Sequence, residues 1–209
     1  MTRRTVRPGE LLVQEGDTVD HVFNLVAGVL KIHKDMLDGR SQITGFIYPG
    51  DFLGWSLFLP AWPVTAEAVS EATLCSFRRE PFRRLLKAHP DVQTSVLELS
   101  CDEVSTAQDR MLLLGRKSAR EKLATFLTHL HHRAQRQGPT SAIILPMKRS
   151  DIADYLGLTP ETVSRAFAWL AENRMLTLDG TKTVTLLDLP ALRTLAGEAA
   201  PLQPMKQAV

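Results

Sequence analysis

The sequence predicts an α+β fold made of an N-terminal β-roll of the jelly-roll type, a long dimerisation helix and a C-terminal winged helix-turn-helix. Three observations predict this fold: short apolar runs in about the first 80 residues, a stretch without glycine or proline at residues 91–114, and two short helical patterns on either side of Gly157. We place the three parts at residues 1–88, 89–116 and 117–195, and we predict that residues 196–209 form a disordered tail.

The composition is that of an ordinary globular chain. Its 209 residues are 44% apolar and 23% charged, which is enough for one large or two small domains. No run approaches the roughly 18 apolar residues of a membrane span, and the basic residues 1–5 lack the apolar core of a signal peptide. Two cysteines, Cys75 and Cys101, fit a reducing compartment. We therefore predict a soluble, cytoplasmic protein with no membrane partner.

Residues 8 to about 80 carry the pattern of a β-rich domain. Apolar runs of strand length occupy residues 10–14, 21–26, 29–33, 42–48 and 73–78. Turn signals separate them, namely Glu15-Gly16-Asp17, Ala27-Gly28, Asp38-Gly39 and Pro49-Gly50-Asp51. Short runs at about ten-residue spacing are typical of a sandwich or a small barrel.

Residues 91–114 predict one long helix with a narrow apolar seam. The seam alternates spacings of four and three residues, as the a and d positions of a coiled coil do, and comprises Leu97, Cys101, Val104, Gln108 and Met111. An amphipathic helix packed on its own domain is the alternative, but so narrow a seam favours a symmetric dimer. We expect Gly115 to end the helix.

Two further helices are predicted around a tight turn at Gly157. Another helix is predicted before this pair, because Ser118 and Glu121 have the spacing of a capping box. The apolar face of that helix comprises Leu123, Phe126, Leu127 and Leu130. The first helix of the pair buries Ile152, Ala153 and Leu156, and Gly157 allows the left-handed turn that ends it. Thr159 as N-cap and Pro160 at the first position open the second helix, which buries Val163, Phe167 and Leu170.

The second helix of this pair presents polar side chains suited to a DNA major groove. Glu161, Ser164 and Arg165 share a face near its N-terminus. Arginine donates two hydrogen bonds to guanine, a carboxylate accepts from the cytosine amino group, and serine is adaptable. We predict that these three residues read bases.

The surroundings of this motif are basic and include a predicted wing. Residues 175–178, Asp179-Gly180 and residues 184–187 form a hairpin signal. Residues 116–209 hold 13 Lys and Arg against 8 Asp and Glu, whereas residues 1–115 hold 12 against 15. An excess of positive charge in the second half of the chain is what binding to DNA phosphates requires. The residues predicted to contact the DNA backbone are Lys148, Arg149, Thr159, Thr162 and Lys182.

Two blocks of sequence carry a family resemblance. They are residues 112–124, LLLGRKSAREKLA, and residues 151–165, DIADYLGLTPETVSR, with the pattern Glu161-x-x-Ser164-Arg165. With the order of the three parts, these blocks make nearly the whole chain similar to the CRP/FNR superfamily of bacterial regulators, and to its FNR/FixK branch. The resemblance implies a homodimeric activator that binds a TTGA-type inverted repeat, contacts RNA polymerase and acts in low-oxygen or nitrogen-oxide metabolism.

Two effectors of that superfamily do not fit these residues. The oxygen sensors hold a [4Fe–4S] cluster with four thiolates, and this chain has no cysteine before Cys75. The cyclic-AMP branch uses a Gly-Glu pair and an Arg-Ser pair, for which this chain has Gly54-Trp55 and Val64-Thr65. Nothing at those positions would neutralise a cyclic phosphate. We predict no iron–sulfur cluster, no cyclic nucleotide and no metal.

Several alternatives stay open at this point. His21 or His33 could bind haem, as some relatives do in the roll, and a small ligand could occupy an apolar pocket among Phe52, Trp55, Phe58 and Trp62, which could equally be core. By resemblance, that stretch could also face RNA polymerase. A cupin-type metalloenzyme would need metal in the roll, and we predict that the protein is not an enzyme.

The remaining histidines and the cysteines have simpler interpretations. His129 and His132 could share a metal, but solvated histidines that offset a helix dipole are commoner. Cys75 is predicted as a small core residue. For Cys101 we favour packing within the seam over an intersubunit disulfide.

Overall fold

A computed structural model describes residues 1–136, 138 and 140–198, so most of the predicted disordered tail lies outside the described residues. The chain divides into two compact units, one at residues 1–110 and one beginning at Met111. None of the helices in the described ranges has both the length and the hydropathy that crossing a membrane requires.

The first unit is a roll of two antiparallel four-stranded sheets. The strands are β1 (Thr2–Val6), β2 (Leu11–Val13), β3 (His21–Ala27), β4 (Leu30–Asp35), β5 (Ser41–Ile47), β6 (Phe52–Leu53), β7 (Thr65–Ala68) and β8 (Ala72–Arg78). One sheet has the order β1-β8-β3-β6 and the other the order β2-β7-β4-β5. All five runs predicted as strands are confirmed, whereas β1, β6 and β7 were not predicted.

The core of the roll follows from strand alternation. Val6, Leu25, Leu30 and Leu74 are fully buried between the sheets. At the β3–β4 turn, Gly28 has φ +85°, and a Cβ atom there would lie 2.2 Å from the carbonyl oxygen of Glu71. Only glycine satisfies both constraints at this turn.

The prediction that Cys75 is a core residue is wrong, although its strand is present. On β8, Leu74 and Ser76 are buried while Cys75 between them is only half-buried. Successive side chains of a strand point to opposite faces of the sheet, so Cys75 faces away from the core that Leu74 enters.

Two helices follow the last strand of the roll. These are α1 (Arg79–Ala88) and α2 (Pro90–Arg116). The expectation that Gly115 ends the long helix is wrong, because α2 continues to Arg116. Gly115 has no positive φ, and it lowers helix propensity without forbidding a helical conformation.

The seam residues of α2 are exposed in the single chain. Leu97, Val104 and Met111 keep 62%, 60% and 72% of their surface accessible, and Cys101 and Gln108 are exposed as well. Packing by the described part of the chain therefore does not account for the apolar seam.

The second unit packs four helices with a small antiparallel sheet. Its elements are α3 (Ala119–Gln135), β9 (Ala142–Ile144), α4 (Arg149–Leu156), α5 (Pro160–Glu172), β10 (Leu176–Asp179), β11 (Thr183–Leu186) and α6 (Leu189–Ala196). The sheet order is β10-β11-β9, and the predicted hairpin is confirmed as β10 and β11. The capping box of Ser118 and Glu121 is present at the start of α3. Neither β9 nor α6 was predicted.

Candidate nucleic-acid interface

The turn between α4 and α5 has the predicted geometry. Gly157 adopts the left-handed conformation at φ +60°, and its N–H closes α4 onto the carbonyl oxygen of Asp154 at 3.2 Å. The Thr159 side chain then accepts a hydrogen bond from the Thr162 N–H at 3.2 Å, and Pro160 occupies the first turn. These caps fix where α5 begins, and so which of its side chains face outward.

The recognition helix α5 has one buried and one exposed face. Val163, Ala166, Phe167 and Leu170 are buried against the rest of the unit. Glu161, Ser164 and Arg165, the predicted base-reading residues, are all exposed. The fold therefore brings these three side chains together on the side of α5 that the unit leaves open.

A short hydrogen-bond network organises this open face. Arg165 donates from Nη2 to the Thr162 hydroxyl oxygen at 3.3 Å, and the Thr159 and Thr162 hydroxyl oxygens lie 3.0 Å apart. The pKa of the Glu161 carboxyl lies below its ordinary value, because its own backbone N–H and the Thr159 hydroxyl donate to it. Glu161 is therefore a carboxylate at neutral pH and can only accept hydrogen bonds. The Ser164 hydroxyl donates to the Pro160 carbonyl oxygen at 2.9 Å.

The residues predicted to contact the DNA backbone differ in their surroundings. Lys148, Thr159 and Lys182 are exposed, and Thr162 is partly buried within the network above. Arg149 instead lies over the ring of Phe167, with its Cζ atom 3.7 Å from the ring centre. Its Nη1 atom is buried and has no hydrogen-bond partner among the residues that the structure describes. In this conformation Arg149 packs α4 against α5 by a cation–π contact.

The aromatic residues at 52–62 divide between two cores and the surface of the roll. Trp62 is 2% exposed and belongs to the main core of the roll, beside Phe23 at 6.2 Å and Trp55 at 6.4 Å between ring centres. Phe52 packs against Phe82 in a second, smaller core. Phe58 is exposed, with Arg83 5.8 Å from its ring centre.

The interior of the roll does not suit a cyclic nucleotide. Val64 and Thr65, at the positions that would face a cyclic phosphate, are both buried, and Val64 is part of the same apolar core as Trp62. The Thr65 hydroxyl already accepts a hydrogen bond from the Glu15 N–H at 3.1 Å. A buried phosphate requires cationic or multiple N–H partners, and an apolar core offers neither.

The histidines of the roll are held by neighbouring groups. His33 lies with Nδ1 3.0 Å from a carboxylate oxygen of Asp35 and with Nε2 3.9 Å from Glu67. His21 stacks near Phe23, with the ring centres 6.4 Å apart. Over residues 1–136, 138 and 140–198, no three His, Cys, Asp or Glu side chains are arranged to hold a metal ion.

At the end of α3, the predicted histidine cluster divides between surface and core. His129 and His132 are exposed, and His132 lies 3.8 Å from a Glu198 carboxylate oxygen and 3.3 Å from Arg193. His131 is only 3% exposed, and neither ring nitrogen has a hydrogen-bond partner in the part of the chain that the structure describes. Burial lowers the pKa of His131, and the positive charges of His132 and Arg193 lower it further.

We expect the second unit to lose stability on acidification because of His131. Its pKa is lower in the folded unit than the usual value of about 6.5, so the unfolded chain binds the proton more readily. The stabilisation is complete above that usual value and is lost as the pH falls through the folded pKa. Thermal unfolding of the full chain at about pH 8 and about pH 5.5 measures this loss.

The comparison variant for that measurement is His131→Leu, which should unfold with a smaller dependence on pH than the unaltered chain. His129→Gln removes an exposed histidine from the same helix and should leave the dependence as it was. If the two variants respond equally to pH, the buried imidazole is not the responsible group.

Two family models match the chain in the order of its units. Residues 3–89 match the cyclic nucleotide-binding domain family, and residues 121–195 match the Crp-like helix-turn-helix domain family. The first match concerns the roll as a fold, whose interior has the apolar packing described above. The second runs from the third residue of α3 to the last residue but one of α6.

Curated relatives match most of the chain. The transcriptional activatory protein AadR of Rhodopseudomonas palustris is 41% identical over 182 residues, which are 85% of this chain and 75% of AadR. The nitrogen fixation regulation protein FixK of Bradyrhizobium diazoefficiens is 44% identical over 163 residues, 78% of this chain and 68% of FixK.

Solved structures agree with these relatives. The structure of FixK2 from Bradyrhizobium japonicum has a TM-score of 0.87 at 34% identity and covers 95% of this chain and 98% of that one. A CRP/FNR family regulator from Thermus thermophilus, with a TM-score of 0.73 at 18% identity, shares the fold. AadR and FixK, which are 41% and 44% identical to this chain, are named as regulators and not as enzymes. The chain belongs to the CRP/FNR family of DNA-binding transcription regulators.

Proposed function

We propose that two copies of this chain pair through the α2 seam and bind an inverted repeat of TTGA-type half-sites, one half-site to each recognition helix. The observation that carries the proposal is the exposed set Glu161, Ser164 and Arg165 on a helix whose other face is buried. The two recognition helices enter successive major grooves about one helical turn apart, so the operator is a palindrome.

Each of the three side chains has a distinct part in reading the half-site. The guanidinium of Arg165 leaves Thr162 and donates two hydrogen bonds to a guanine. Glu161, which is ionised at neutral pH, accepts from a cytosine amino group. Lys148 and Lys182 meet phosphates on either side, and bending of the DNA brings the flanking phosphates within reach.

The regulator acts in the cytoplasm as an activator that contacts RNA polymerase, in the response to low oxygen or nitrogen oxides, and without a cyclic nucleotide. Support for activation comes from relatives such as AadR, and support for the pathway from the name of FixK as a nitrogen fixation regulator. The apolar packing of Val64 and Trp62 in the roll supports independence from a nucleotide.

Selection of random duplexes by the purified full chain, in air and without oxygen, tests this function. We expect the same palindrome with TTGA half-sites to be enriched under both conditions without added nucleotide. Enrichment of a single, non-palindromic site would contradict paired recognition, and enrichment only after a nucleotide is added would contradict independence from it.

A further inference from the structure

The first turn of α3 carries a guanidinium group that stacks on the recognition helix. The Cζ atom of Arg120 lies 4.2 Å from the centre of the Trp169 ring, within the roughly 6 Å range of a cation–π contact. Arg120 is exposed and Trp169 half-buried, so the stack lies at the surface of the second unit. Stacking uses only the face of the guanidinium, and the N–H groups along its edge are left to donate.

The stack adjoins the face of α5 that carries the predicted base-reading residues. Trp169 follows Arg165 by four residues, so the two side chains lie on the same side of the helix, one turn apart. Thr162, which accepts the hydrogen bond of Arg165, precedes it on the same side. Arg120 is therefore held at the edge of the surface that contains Arg165.

The local environment of Arg120 does not neutralise its positive charge. It is the second residue of α3 after the Ser118 cap, where the helix dipole disfavours a cation. The carboxylate of the adjacent Glu121 accepts instead from the Ser118 N–H at 2.7 Å. Within residues 1–136, 138 and 140–198, no carboxylate forms an ion pair with Arg120. An exposed cation in this position suits an anion supplied from outside the chain.

We propose that Arg120 of each protomer donates to a DNA phosphate beside the base pairs read by Arg165, and that Trp169 is the positioning residue that holds the guanidinium there. The inference rests on the DNA-binding function. A phosphate contact fixes the register of the protein on DNA and carries no sequence information. Arg120 therefore contributes affinity and salt dependence, whereas the choice of bases stays with α5.

The salt dependence of binding tests this contact in the full chain. The probes are a duplex with two TTGA half-sites in inverted repeat and a duplex with the half-sites scrambled. Each phosphate neutralised contributes about 0.9 to the slope of log affinity against log salt. Arg120→Gln should lower the slope by about 1.8 for the two protomers and weaken binding to both duplexes by the same factor.

Variants at Trp169 separate a positioning role from a purely structural one. Trp169→Leu should lower the slope nearly as far as Arg120→Gln, the double variant should lower it no further, and Trp169→Phe should restore most of it. Arg120→Lys, which keeps the charge without the planar stack, should retain an intermediate slope. If Trp169→Leu does not fold, the salt slopes of Arg120→Gln and Arg120→Lys decide whether Arg120 contacts a phosphate.

The control is Arg136→Gln, which removes an exposed arginine of the same unit at the other end of α3, about 24 Å away along the helix. It should leave the slope unchanged. An equal slope in Arg120→Gln and the unaltered chain would overturn the proposed phosphate contact while leaving DNA binding intact. If the unaltered chain bound neither duplex, the proposed operator recognition would itself fail.

Discussion

Val104→Glu is expected to convert the protein to a monomer and to weaken operator binding by about 100-fold or more. Val104 is 60% exposed in the single chain and lies at the centre of the α2 seam. In a symmetric pair, the two new carboxylates would face each other in an apolar interface without a cation to compensate them, which is strongly unfavourable. Loss of the second half-site removes the gain in affinity, about 10²- to 10⁴-fold, that linked binding provides.

Sedimentation of the full chain measures the first effect, and titration of the palindromic duplex measures the second. Met111→Glu, at the other end of the seam, should act in the same way. Thr106→Glu is the matched control, because it introduces the same charge at an exposed position about half a turn round α2 from Val104, away from the seam. A dimer that persisted in both seam variants would refute the seam.

The long helix and the helix-turn-helix could be predicted because their signals are local. An uninterrupted 3.6-residue pattern, a capping box at Ser118, a left-handed Gly157 and an N-cap at Thr159 each act within one turn of helix. The predicted end of α2 at Gly115 is wrong because a glycine ends a helix in this way only where it adopts a positive φ, which Gly115 does not.

The missed elements depend on partners distant in the sequence. Strand β7 is bounded by loop-like sequence and forms only by pairing with β2 and β4 on either side. Strand β1 is basic, and pairing with β8 some seventy residues later defines it. In both cases the propensity of the segment is weak and the sheet supplies the stability.

The same limit applies to the candidate interface. The exposed face of α5 follows from helical periodicity, so the exposure of Glu161, Ser164 and Arg165 on one helix could be predicted. The stacks of Arg149 on Phe167 and of Arg120 on Trp169 join residues on different helices, and no spacing in the sequence indicates them. In the sequence, Arg149 and Arg120 are each only a basic residue near the start of a helix.

Arg165→Ala is expected to cost about 1–3 kcal/mol for each guanine contact and to relax base choice at that one position of each half-site. The side chain is exposed and donates to the exposed-face hydroxyl of Thr162, so its removal should leave the fold intact. Two symmetric contacts are lost in a dimer, and the combined effect should exceed that of any single phosphate contact.

The contrast with Lys182→Ala separates base reading from charge. Both variants lose one positive charge per protomer from an exposed position of the second unit. Lys182→Ala should weaken binding equally on all duplexes and lower the salt slope, because a phosphate contact is blind to sequence. Arg165→Ala should weaken the TTGA palindrome most and duplexes altered at the contacted guanine least, since those have already lost the same hydrogen bonds. If Arg165→Ala instead reduced affinity by one common factor across the whole set, Arg165 would be a backbone contact, and recognition would have to depend on Glu161, Ser164 and the deformability of the site.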